Sequence, residues 1–257
     1  MTWLLIDADM LLYQAVTSCE TEIEWEPDVI TTHLPLKEVK YVLHSLIESK
    51  QKLVGAKRTT LCWTAADNFR KTIDPTYKGN RRESKHRIKP VGFKRARECA
   101  EVEYDSECWF KLEADDVLGI LATQNKDKDV VIWSGDKDLK QIPGFHLSDD
   151  GDIKEITEQQ ADLYFYRQVL IGDAVDNYSG CPGVGPKTAE KLIPVKDFNP
   201  CDAWQTVENT YKKKGLSKEL ALQQARLARI LRDTEYVYDL ITLWMPPIRP
   251  TTVTTAM

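Results

Sequence analysis

No apolar run in the sequence is long enough to span a bilayer. The longest, such as Val130 to Trp133, fall far short of the roughly 20 residues a membrane helix needs. The N-terminus Met1-Thr2-Trp3-Leu4-Leu5-Ile6-Asp7 also lacks the basic region of a secretory signal. These two absences predict a cytoplasmic protein with no membrane partner. The six cysteines (Cys19, Cys62, Cys99, Cys108, Cys181, Cys201) form no CxxC pair, none stands at zinc-finger spacing from the four histidines, and there is no HExxH. Structural zinc and a disulfide framework are therefore not expected, and the thiols read as small core residues. A basic excess is missing too: the net charge is −5, which on its own argues against a nucleic-acid partner.

The charge is unevenly spread. From Asn68 to Arg97 there are eleven Lys/Arg against two acids, a local +9, so the rest of the chain carries −14. One strip that attracts a polyanion, with carboxylates concentrated elsewhere, fits this segregation better than a merely solvated loop does. The 257 residues, 42% hydrophobic, are enough to bury a core.

Trp3-Leu4-Leu5-Ile6, Thr59 to Thr64 and Asp129 to Ser134 read as buried strands. Met10 to Val16, Leu36 to Val54 and Glu113 to Thr123 read as helices. This alternation predicts an α/β fold with a mostly parallel sheet covered on both faces. All three strands have acids just past their C-terminal ends: Asp7, Asp67, and Asp136 with Asp138. Open α/β sheets place their sites at that edge. After Asp152 the strand signal fades, and Thr157 to Leu170, Pro186 to Leu192, Asp202 to Lys213 and Ser217 to Leu231 read as helices. The expected organisation is a core over 1–156, a helical part over 157–248 and a loose tail over 249–257.

Acids at short spacing recur in five places: Asp7 with Asp9; Asp67; Glu113, Asp115 and Asp116; Asp136 and Asp138; Asp173 and Asp176. Singly, each has an ordinary reading as a helix cap, a turn residue or a partner of the helix dipole. Together, roughly eight carboxylates at one sheet edge would repel one another without cations. Oxygen-only ligands select hard ions, so Mg2+ or Mn2+ is expected. Two such ions about 4 Å apart can activate a water and stabilise the leaving oxygen of a phosphodiester. Which acids of the third group act together stays open: on a helix Glu113 and Asp116 share a face, whereas Glu113 just before the helix would pair with Asp115. Finally, Ser179 to Ala189 sets three glycines (Gly180, Gly183, Gly185) before a helix beginning at Pro186. Its backbone N–H groups, with Lys187, form a phosphate clamp that reads no sequence.

In order and spacing, Ile6-Asp7-Ala8-Asp9, Asp67 followed by Asp74-Pro75-Thr76-Tyr77-Lys78-Gly79-Asn80-Arg81, Glu113-Ala114-Asp115-Asp116, Ser134-Gly135-Asp136-Lys137-Asp138-Leu139, and Gly172-Asp173-Ala174-Val175-Asp176-Asn177 through Ala189 resemble the 5′-nuclease (flap endonuclease) family over residues 3–193. Ala221 to Tyr236 further resembles its branch of stand-alone 5′→3′ exonucleases from T7-like bacteriophages.

The resemblance implies a PIN-like core with a helical arch over about 77–90 and a duplex-gripping helix–three-turn–helix over about 172–193. It implies two or three divalent ions among Asp7, Asp67, Glu113, Asp115, Asp136, Asp138, Asp173 and Asp176, with Asp116 as an accessory acid; Asp9 matches no ligand position and reads as a helix cap. It implies a stacking role for Tyr77, and contact of Lys78 and Arg81 with the scissile phosphate. DNA contacts are expected from Arg82, Lys85, Arg87, Lys89, Gly183, Gly185 and Lys187, and a potassium ion from backbone carbonyls near Ser179 and Val184.

The expected activity is hydrolysis of DNA at or near 5′ ends, with action on RNA in hybrids left open. The protein would act as a monomer beside replication proteins, in the host cytoplasm for a phage product. The rival readings are a PIN-like ribonuclease, which needs no duplex-gripping hairpin, and a DNA-binding protein without chemistry, which would have lost acids.

Overall fold

The computed structural model describes residues 2–80, 89–126 and 129–249. In chain order they form β1 (Trp3–Asp7), α1 (Ala8–Cys19), a hairpin of β2 (Thr21–Glu26) and β3 (Val29–His33), α2 (Leu36–Val54), β4 (Arg58–Cys62), the single turn α3 (Arg70–Ile73), α4 (Phe93–Glu103) and β5 (Ser106–Glu107). There follow α5 (Ala114–Gln124), β6 (Val130–Trp133), a 3-10 turn over Lys137–Gln141, β7 (Gly144–Leu147) and β8 (Ile153–Ile156). The helices α6 (Glu158–Ile171), α7 (Pro186–Leu192), α8 (Pro200–Lys213) and α9 (Lys218–Ala228) precede a small hairpin, β9 (Tyr236–Val237) and β10 (Leu240–Ile241).

The main sheet runs β5-β4-β1-β6-β7-β8, parallel except for β8. β1 lies near its middle because Trp-Leu-Leu-Ile-Asp is buried throughout and pairs on both sides, with β4 and with β6. Burying a Leu or Ile side chain is worth about 1.5–3 kcal/mol, which is why such a run is drawn to the centre. Because β1, β4 and β6 are parallel, their C-terminal ends share one edge, and the acids following them arrive there together.

One face of the sheet packs on α1, α2 and α4 around Leu11, Leu12, Leu43, Ile47 and Phe93. The other packs on α5 around Leu118, Ile120 and Leu121. A third cluster joins α6 to α9 around Phe165, Tyr166, Trp204 and Tyr211. The segment after α9 does not stay in that helical cluster, since Ile230 and Leu231 pack with α5. Gly119 in α5 makes room for it: a Cβ there would meet the Leu231 carbonyl oxygen at 2.4 Å. Among the described residues no helix is long and apolar enough to cross a membrane.

Candidate active site at the carboxyl edge of the sheet

Asp7 ends β1 and caps α1, accepting the Met10 N–H at 3.2 Å, while its other oxygen accepts the Ser134 hydroxyl at 3.1 Å. The cap is therefore Asp7 and not Asp9. Asp9, expected as the cap, reaches across to β4, accepts the Thr64 N–H at 2.8 Å and lies 3.8 Å from Arg97. After β6, Ser134 accepts the Asp136 N–H at 3.0 Å, and Asp136 caps the 3-10 turn by accepting the Asp138 N–H at 2.8 Å. Asp173 likewise accepts the N–H groups of Val175 and Asp176, at 2.7 and 3.3 Å. These loops are built so that a backbone N–H holds one oxygen of the acid and fixes where the carboxylate points.

The open question at 113–116 is settled by the helix start. Glu113 is the N-cap of α5, just outside it, so Glu113 and Asp115 line the same cleft while Asp116 turns inward. Asp116 is fully buried and makes a two-pronged pair with Arg70, 2.7 Å on each arm. It faces Arg70 in the interior and not the cleft that Glu113 and Asp115 line. Arg70 had been counted with the basic strip, yet it is 2% exposed and also donates to the Leu227 carbonyl at 3.1 Å and to that of Arg229.

Tyr77 is corrected as well. Its ring is buried in the helical cluster, and its hydroxyl donates to Glu113 and Asp176 at 3.1 and 3.0 Å, so no face is presented to a base. Among the described residues two aromatics line the acidic cleft, buried Phe93 and Tyr13 on α1, the latter half exposed beside Asp7, Lys78 and Lys89. No spacing signal marked Tyr13, since six residues past Asp7 is about 240° around a helix, away from the face that Asp7 shares with positions 10 and 11.

Lys78 reaches the acids, pairing with Glu113 and lying 3.5 Å from Asp176. Lys137 bridges Asp138 and Asp173, at 2.9 and 2.8 Å, a role its position between two acids did not announce. Tyr164 also donates to Asp138 at 3.2 Å. Asp67 stays exposed on the loop after β4 and accepts its neighbour's N–H at 2.9 Å. Lys89 sits 4.8 Å above the Phe93 ring at the cleft's rim. Arg81, Arg82, Lys85 and Arg87 lie outside the described residues, as does most of the expected arch.

The electrostatics show an acid excess. Burial, opposed by the Met10 N–H and reinforced by Asp9, raises Asp7 to about 6. Burial and then Asp7 and Asp136 push Asp115 well above the usual carboxylate range. Burial would raise Glu113 too, but Lys78 and Arg70 hold it down at about 2. Burial raises Asp138, against the pull of Lys137, and Asp173 is lowered because its bonds to Lys137 and Val175 outweigh burial. Among the described residues no three such groups converge on one point. Two lysine ammonium groups stand between the carboxylates instead.

In the hairpin, α6 ends at Gly172, whose backbone touches that of Gly180: a Cβ on Gly180 would lie 2.4 Å from the Gly172 nitrogen. Asp173 and Tyr178 exchange both backbone hydrogen bonds across the loop. Gly185 caps α7 without a side-chain partner, and Gly183, Gly185 and Lys187 are exposed beside it. Ser179 is at the surface and Val184 is buried, on either side of the turn closed by the Val184 N–H on the Cys181 carbonyl.

A family model described as the 5′-3′ exonuclease N-terminal resolvase-like domain matches residues 2–163. The chain is 31% identical to an exodeoxyribonuclease of Enterobacteria phage T3, over 95% of this chain and 92% of that protein. It is 30% identical to an exonuclease of Escherichia phage T7, over 95% and 93%. Among solved structures, the T5 D15 protein co-crystallised with metal ions superposes with a TM-score of 0.67 at 18% identity, over 91% of this chain and 90% of that one. A pseudo-enzyme-product complex of the bacteriophage T5 D15 flap endonuclease with DNA and metal ions gives 0.69, also at 18%, with the same coverage. At this identity the two structures speak for the fold.

Proposed function

Because the chain belongs to the 5′-3′ exonuclease family, we propose that it hydrolyses DNA phosphodiesters at or near 5′ ends with two or three divalent ions, Mg2+ or Mn2+, at the carboxyl edge of its sheet. The observation that carries this reading is the acid excess itself. Buried, mutually repelling, oxygen-only side chains that have drawn in two lysine ammonium groups are a donor set suited to hard cations. Asp7, Glu113, Asp115, Asp136, Asp138, Asp173 and Asp176 would hold them, with Asp67 from the loop beside. When bound, such ions polarise the phosphate and favour loss of a proton from the attacking water.

The chain's own residues do the rest. Ser134 and the backbone N–H groups at residues 10, 138, 175 and 176 keep the carboxylates aimed, so little reorganisation is left for the reaction. Lys78 carries a positive charge at the cleft floor and can neutralise a phosphate oxygen there. Arg81 is assigned the same task. Tyr13 offers a ring to a neighbouring base, and Lys89 and Arg82, Lys85 and Arg87 draw in the strand. Gly183, Gly185 and Lys187 grip a duplex backbone, which favours DNA with a duplex portion over the substrate of a PIN-like ribonuclease. Backbone carbonyls near Ser179 and Val184 would hold a potassium ion, and the protein would act as a monomer beside replication proteins.

The test is purified protein with Mg2+ on a 5′-flapped duplex, a blunt duplex and an RNA–DNA hybrid, with products sized. Release of short products from the 5′ side, abolished by chelation and by Asp136→Asn while DNA is still bound, is expected. Cleavage by Asp136→Asn at the wild-type rate, or preference for single-stranded RNA, would overturn the reading.

A further inference from the structure

The loop joining β5 to α5 carries an exposed aromatic side chain that the function described so far does not use. Phe110 is 78% exposed, while its neighbour Trp109 is pinned by stacking on Tyr236, at 5.1 Å between rings, and by donating to Glu107 at 2.7 Å. Lys111 adopts a left-handed backbone, φ 61, which costs a residue with a Cβ roughly 1–2 kcal/mol. The loop keeps this conformation because it is sewn to the Asp67 loop on both sides: the Ala65 N–H donates to the Leu112 carbonyl at 2.9 Å and the Phe69 N–H to that of Lys111 at 3.0 Å. The result is a rigid mount that presents Phe110 to solvent with the Lys111 ammonium 5.2 Å from its ring.

A single exposed apolar side chain is ordinary on a protein surface. The position of this one is not. Phe110 is three residues from Glu113, so the two Cα atoms are at most about 11 Å apart, roughly three base steps along a strand. A ring with a cation over it is the combination that takes an unpaired base and its phosphate together. Tyr13 stands on α1, whereas Phe110 stands on the loop that leads into Glu113 and is bonded to the Asp67 loop. From this geometry we infer that Phe110, with Lys111, is a second base-stacking platform, holding an unpaired nucleobase of the substrate just outside the cut. It is a positioning residue and touches none of the reacting atoms. The inference rests on the DNA-cleaving reading above.

The experiment uses Asp136→Asn protein and flapped DNA carrying 2-aminopurine at each of four positions spanning the cut, with cleavage of unlabelled DNA by otherwise wild-type protein measured alongside. One position should show quenched fluorescence on binding, lost in Phe110→Ala and restored in Phe110→Trp. The Michaelis constant should rise on the order of tenfold for Phe110→Ala, at the modest end of base stacking and more than the saturated rate falls, and Lys111→Ala should move in the same direction by less. With Phe110 this exposed, the melting temperature serves only to show that the variant is folded. If DNA is bound and cut but no position responds to Phe110, the platform is refuted and the nuclease reading stands. If the wild-type protein neither binds nor cuts DNA, both fall.

Discussion

Lys78 and Arg70 are eight residues apart in the same basic strip, yet the fold gives them different duties. Lys78 sits partly exposed at the cleft floor, against Glu113 and near Asp176. Replacing it with alanine should slow single-turnover cleavage at saturating DNA on the order of a hundredfold, the usual loss for one preorganised charge. A triple change at Lys85, Arg87 and Lys89 should instead raise the Michaelis constant and flatten its salt dependence. Equal saturated rates for the two variants would show that Lys78 has no catalytic part. Arg70, by contrast, is sealed among Asp116, Glu113 and two carbonyls. Arg70→Ala leaves Asp116 charged and unpaired in the interior, which should cost about 3–5 kcal/mol in denaturant unfolding. A loss below about 1 kcal/mol would mean that the pair is not the clamp it looks.

At the scale of elements, the hairpin between α6 and α7 depends on two glycines whose backbones touch. Gly180→Ala would need both a left-handed alanine, φ 61, and a shift of the Gly172 nitrogen, so it should disorder the hairpin and weaken duplex binding well beyond Lys187→Ala. For Lys187→Ala, binding should weaken for any sequence and the salt slope should fall by about one. Short single strands should be less affected than duplexes by both variants, and equal losses would mean the hairpin is not the duplex grip.

What the sequence made legible at this scale follows from pattern strength. The run Trp3 to Ile6 and the periodic stretch Leu36 to Val54 carry their own period, and the helices α2 and α7 start and stop where their apolar spacing and Pro186 require. β2 and β3 were missed although they form a hairpin, because it stands apart from the main sheet and is almost wholly exposed. The alternation Glu22-Ile23-Glu24-Trp25-Glu26 is present but short and acidic, with no apolar run to mark it as a strand. β7 and β8 were missed because they are four residues each at the rim of the sheet. At the site, the list of acids could be read from spacing, but the split between Asp115 and Asp116 could not. It depends on a one-residue difference in where α5 begins and on an arginine 46 positions away. Tyr77 misled for the same reason, because burial is decided by helices that follow it by more than 80 residues.

For the whole molecule, the concentration of like charge at one edge trades stability for function. Asp115→Asn removes a carboxylate that Asp7 and Asp136 repel, and should stabilise the metal-free protein by on the order of 1 kcal/mol while abolishing cleavage. Mg2+ should raise the melting temperature of the wild-type protein, and by less in the variant. Thermal scans with and without the ion check both statements, and a variant no more stable than wild type would refute the charge argument.

The Arg70 clamp also fixes when the active site can come into being. Its carbonyl partners at Leu227 and Arg229, and the Leu231 backbone that seats on Gly119, follow Arg70 and Asp116 by more than 100 residues and leave a ribosome well after them. Until they emerge, Arg70 and Asp116 face open space, α5 has no lid, and Glu113 lacks its settled place at the cleft floor. A chain synthesised only as far as α8 therefore lacks the Arg70 clamp, and is expected to show no cleavage.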